Sequence, residues 1–272
     1  MKLDPENILN NIKIPPRPAT LVELMEEQRK EDPDFKKLAG LMGKDVSLSA
    51  ALLKTVNSPF FGLRSKASSA QEAIHILGMK NVMNLVSGFS LKNAMGKAGP
   101  SAERFWSMTE SVALASAYIA SRLPGIARDE AYTFGLFHNC GMPLLESRFP
   151  EYQEKMGTCR NRITSVEEAH FSSNHATIGY LLTKSWNLPD ELCKATQRHH
   201  DPTVFADGGS GKTPTLVAIG MLANNAYRTL HKLENEGGWE EDKELVLDYL
   251  GLSELEYQDL IESTHQVMGE AD

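Results

Sequence analysis

The chain has 272 residues, of which 41% are hydrophobic and 24% charged, and a net charge of -8. That balance calls for a packed core and excludes a disordered chain. The acidic charge, with no long Lys/Arg run, disfavours a phosphate-backbone binding face, so no nucleic-acid partner is expected. No stretch approaches the roughly 18–20 apolar residues of a membrane span and the N-terminus lacks an apolar signal core, so a cytoplasmic chain with no membrane partner is expected.

In chain order the pattern is helical. "TLVELMEEQRK" sets Leu21, Leu24 and Met25 on one face, and "DFKKLAGLMGKD" does the same with Phe35, Leu38, Leu41 and Met42. "DVSLSAALLKTVNSPFFG" carries a stripe of Leu48, Ala51, Leu52 and Val56, and Pro59 predicts a stop near Asn57 or Ser58. Ser69 and Glu72 form a capping box for the next helix, and Gly78 ends or bends it. Val82, Leu85, Val86 and Phe89 mark a further helix, so residues 17–95 read as about five short helices.

Residues 94–103, "AMGKAGPSAE", are the best internal boundary. A long helix rich in small residues follows, "FWSMTESVALASAYIASRL". Then come "DEAYTFGLFHNCGMPLLESRF", read as one helical stretch, "HATIGYLLTKSW" and "DELCKATQRHH". "ADGGSGKTP" reads as a mobile loop; its Gly-Lys-Thr lacks the earlier glycine and the strand of a Walker loop, and Pro214 should interrupt the helix that would receive phosphate. A helix "TLVAIGMLANNAYRTL" and an acidic tail ending in an amphipathic helix complete the chain. No alternating strand pattern occurs, so the fold expected is all-α.

Cys140, Cys159 and Cys193 have no CxxC spacing and read as buried or part-buried thiols. Of eight histidines, His138, His175, His199 and His200 lie near predicted helix ends, where imidazoles from converging helices could hold a metal. On spacing alone they read more simply as polar helix-end histidines. Asp201 beside them could cap, ligate or face water, while His75, His231 and His265 read as solvated.

Asn57-Ser58-x-Phe60-Phe61-Gly62 followed by Ser68-Ser69-x-x-Glu72-Ala73-Ile74-x-x-Leu77-Gly78, and then "AYTFGLFHNCGMPLL" and "QRHHDP", resemble the HDOD domain over roughly residues 10–230. The resemblance implies an HD-like multi-helix bundle with an N-terminal helical subdomain, divided as 1–98, 99–232 and an acidic helical extension 233–272. HDOD domains are bacterial relatives of HD metal-dependent phosphohydrolases, described mostly as signalling modules.

Carried over residue by residue, the ligand positions are depleted. Met108 stands at the first histidine, His138-Asn139 at the His-Asp pair, and Asn224 or Asn225 at the last aspartate. Losing both carboxylates removes the charge that a two-metal hydrolase needs. The reading is a non-catalytic signalling or regulatory module that binds a protein partner, or a nucleotide or other small ligand. The alternative is a divergent phosphohydrolase acting on a nucleotide or phosphodiester. No cofactor is expected, or else a single Zn, Ni, Mn or Fe ion on His138, His175, His199 and His200. Asn57, Phe60, Phe61 and Gly62 are either core anchors or a partner groove.

Overall fold

Five α-helices lead the computed structural model, which describes residues 12–269 apart from 62, 64, 96–98, 157–161, 207–210 and 235–236. They are α1 (Ala19–Gln28), α2 (Phe35–Lys44), α3 (Val46–Val56), α4 (Ala70–Leu77) and α5 (Met79–Met95). Asp34 caps α2 by accepting from the Lys36 and Lys37 amides at 2.9 and 3.0 Å, and Asp45 caps α3 through the Leu48 amide at 2.9 Å. Leu38, Leu41 and Met42 are buried, but Phe35 is 54% exposed. It opens α2, and side chains tilt toward a helix's N-terminus, so its ring overhangs the packed stripe. Ser69 accepts from the Glu72 amide as the capping box requires, whereas the Glu72 carboxylate turns to the Ser68 amide and hydroxyl, one residue earlier.

The loop after α3 is held by Asn57. Its side chain accepts from the Ala67 amide and donates to the Ala67 carbonyl, both at 2.8 Å. Phe60 and Phe61 follow in a 3-10 turn, Pro59–Phe61, and are buried. Phe61 meets Tyr132 edge-on at 6.0 Å, and its carbonyl accepts from Arg128 at 2.7 Å. Both rings are thus packed in the core, where Phe61 joins the first half to α7. Gly62 lies outside the described residues.

The second half is built on α6 (Gly99–Arg122), which packs most extensively on α7 (Arg128–Phe137) and α13 (Lys212–Leu230). Ala113, Ala115, Ser116 and Ala117 are fully buried along α6 and let its neighbours close in. Around this core run α8 (Met142–Arg148), α9 (Tyr152–Met156), α10 (Ile163–Phe171), α11 (His175–Ser185), α12 (Asp190–Arg198), a 3-10 turn (Pro202–Phe205), α14 (Trp239–Leu250) and α15 (Glu254–Gly269). The stretch expected as one helix from 129 is two, because the chain leaves helix at His138–Gly141. Pro214 does not interrupt α13. It falls in the first turn, where a missing amide N–H costs nothing. Residues 207–210 of the expected loop, and Cys159, lie outside the described residues; Cys140 and Cys193 are buried free thiols.

There is no strand among the described residues, and the fold is all-α. Buried apolar residues form one cluster from Ile12 to Met268. No helix among the described residues is long and apolar enough to cross a membrane.

Candidate metal centre at converging helix ends

Three helix termini meet in the second half. His138 is the residue that ends α7, His175 opens α11 and His199 ends α12, with His200 next to it. The approach depends on Gly141: a Cβ there would lie 2.1 Å from the His175 carbonyl oxygen, so only glycine lets the turn after α7 touch the start of α11.

Neighbouring acceptors fix the ring protons. His138 Nδ1 donates to the Gly135 carbonyl at 2.8 Å, His199 Nδ1 to the Thr196 carbonyl at 2.7 Å, and His175 Nδ1 to the Glu167 carboxylate at 2.7 Å. Each ring therefore turns a bare Nε2 lone pair inward. His175 Nε2 lies 3.1 Å from both His199 Nε2 and His200 Nε2, and the three ligand atoms fall within 4.8 Å of one another. Two imidazole nitrogens on one tetrahedral ion with bonds of about 2.0–2.1 Å stand about 3.4 Å apart. A pair of lone pairs facing at 3.1 Å is repulsive without a cation and attractive around one.

His138 stands beside this trio, its ring 5.4 Å from that of His199, and its buried Nε2 has no hydrogen-bond partner. Burial pushes the His138 imidazole down to about 4. His199 is also pushed well below its ordinary value, by burial first and then by His200 and His175. Both are neutral near pH 7, as ligands must be. Of the four predicted ligands, the fold thus brings three together and sets the fourth alongside.

The depleted positions divide. Asn139 is buried with Oδ1 3.2 Å from His199 Nε2, so its amide faces the trio. Asn224 and Asn225 line the same cleft, and Asn225 Oδ1 accepts from the Tyr257 hydroxyl at 2.8 Å. Met108 does not line the cleft. It is half-buried against the apolar core, about 100° around α6 from the fully buried Thr109. Asp201 caps the 3-10 turn through the Thr203 amide. His265 is not simply solvated; its Nε2 reaches the Thr229 hydroxyl at 3.0 Å and the Ala226 carbonyl at 2.9 Å.

Sequence reasoning missed three residues that line the cleft and one that stands behind it. Glu167 is fully buried; one oxygen accepts from the His175 amide and Nδ1, the other from the Tyr152 hydroxyl at 2.5 Å. A signal existed, since Glu167 stands four residues from both Ile163 and Phe171 on the apolar stripe of α10. Arg162 and Arg228 border the cleft, and Asp242 of α14 closes it. The cavity measures about 40 Å³, room for a few water molecules.

The residues fit a single borderline divalent ion, held by neutral imidazoles as zinc, nickel or iron accept. They do not fit a carboxylate-bridged pair of ions.

This all-α fold with its cleft of helix-end histidines is of the HD-like helical class. A Shewanella amazonensis SB2B structure described as a candidate metal-dependent phosphohydrolase superposes with a TM-score of 0.72 at 16% identity, covering 98% of this chain and 95% of that one. A candidate signal-transduction protein from Marinobacter aquaeolei VT8 does so with a TM-score of 0.69 at 20% identity, over 98% of this chain and 64% of its own. An uncharacterized protein of Treponema pallidum (strain Nichols) is 28% identical over 197 residues, 69% of this chain but only 38% of its own length. The family profile of the HDOD domain matches residues 14–202, and the chain belongs to that family.

Proposed function

We propose that the protein is a non-catalytic signalling module whose histidine cleft takes one divalent ion on His175, His199 and His200, with His138 and Asn139 alongside, and which acts by binding a protein partner or a small ligand. One observation carries this reading: among the described residues, no carboxylate faces the three Nε2 atoms. Glu167 stands behind His175 and Asp242 is held by Arg162. A bound ion would keep its full charge and act as a Lewis acid at one open position, without the paired ions that hydrolysis of phosphodiesters commonly uses.

The test is metal analysis of the purified chain and zinc titration with chelator competition, together with turnover assays on nucleotides and phosphodiesters in added Zn²⁺, Mn²⁺ or Ni²⁺. The reading expects one ion per chain, its loss in His175→Ala and His199→Ala, and no turnover. A second reading, a metal-dependent phosphohydrolase, is favoured by the three-histidine set, which would leave one position of a tetrahedral ion open, and by Arg162 and Arg228 lining the same cleft. Metal-dependent turnover abolished by His199→Ala would establish it and overturn the first.

A further inference from the structure

Arg162 stands just before α10 and extends across the mouth of the cleft. Nη1 and Nη2 grip the two oxygens of Asp242, each at 2.6 Å, and Nη1 also reaches the His200 carbonyl at 3.4 Å. This fork joins the backbone of the histidine cluster to the first turn of α14, beyond the part of the chain that the family profile covers. Asp242 is 3% exposed. The contact is shaped by Gly238, which has φ +101° and where a Cβ would sit 2.9 Å from the Arg162 Cζ. The planar guanidinium holds two carboxylate oxygens where it would equally hold two oxygens of a phosphate. Arg228 borders the same cleft, and the buried, unpartnered Nε2 of His138 is aimed into it.

We propose that Arg162 is the anchor of a phosphate-binding site at the mouth of the histidine cleft, and that Asp242 is a built-in competitor occupying that anchor until a ligand bearing a phosphate group displaces it. With Asp242 seated, the cavity of about 40 Å³ admits water and an ion only. A phosphate enters by exchanging one anion for another on the same fork, so no buried charge is left unpaired. Displacement frees the start of α14, where Trp239 lines the cleft, and so converts ligand binding into movement of the C-terminal helices. The inference rests on reading the cleft as a ligand site but does not need the ion.

The test titrates inorganic phosphate into the full chain and into D242N, R162M and the D242N/R162M double variant at constant ionic strength, first in chelator and then with zinc. D242N is expected to bind phosphate at least about 10-fold more tightly than the unsubstituted chain, and the double variant to lose that gain. A folded D242N that binds no more tightly overturns the proposal, as does an equal gain in the double variant, which places the anion elsewhere. Should D242N not fold, the unsubstituted chain decides. Phosphate should red-shift Trp239 emission, measured against W239F, and R162M should abolish the shift; no shift at saturating phosphate overturns the proposal. Phosphate binding in chelator without zinc uptake would remove the metal reading and leave this one standing, and zinc uptake without phosphate binding would do the reverse.

Discussion

Single side chains set the chemistry by what they free or occupy. Glu167 never faces the cleft, yet it dictates which nitrogen of His175 does. Replacing it with Gln is expected to weaken zinc binding about 10–100-fold with the fold intact, read by chelator competition. Glu27 shows the same economy away from the site. It is buried between Lys30 at 2.8 Å and Lys37 at 2.6 Å, which hold its carboxyl down to about 2, Lys30 contributing most. A carboxyl lowered by folding contributes stability above its ordinary value of 4.5, and that contribution is lost as pH falls from 4.5 toward 2. Glu27→Gln should therefore flatten the dependence of Tm on pH across that window, and an unchanged slope would refute the assignment.

Helices and their ends carry the arrangement. The histidines meet because α7 and α12 stop, and α11 starts, at one place, so the stop signals matter as much as the stripes. His138, His199 and His200 were legible from sequence for that reason: the motif and the proline after "RHHD" mark helix ends. Glu167 betrays itself only as a carboxylate on the apolar stripe of α10; its pairing with His175 was not legible, because their eight-residue separation spans a helix break and obeys no helical register. Met108 stands off the lining of the cleft, because within a uniformly small-residue helix each step turns 100° and spacing alone does not say which side chain faces the site. The Asn57 clamp belongs to this scale too. Asn57→Ala would strand the Ala67 N–H and C=O, a cost of about 1–3 kcal/mol in denaturant unfolding.

Across the whole molecule, the five N-terminal helices and the all-α class could be read directly, since hydrophobic period and capping residues agree there. The role of the last forty residues could not. Their acidic composition reads as a tail ending in an amphipathic helix, whereas long-range pairs such as Arg162–Asp242 and Asn225–Tyr257 draw their helices against the cleft. Trp186 supplies the other long tie: fully buried, it donates to the Pro15 carbonyl at 3.0 Å and faces Phe137 edge-on. Trp186→Ala is expected to cost about 3–5 kcal/mol, measured as a shift of the unfolding midpoint that affects both halves together.

The facing lone pairs of His175 and His199 have a temporal counterpart. An interior that repels itself where three helices terminate is where those helices should fray first, so amides near 175–178 and 196–200 should exchange with deuterium sooner than their burial suggests. A cation that turns the repulsion into a joint would slow exchange at those amides and leave α1 to α4 unchanged. The cluster would then act as a local clasp whose closure is visible in minutes of exchange time, whether or not anything is ever hydrolysed there.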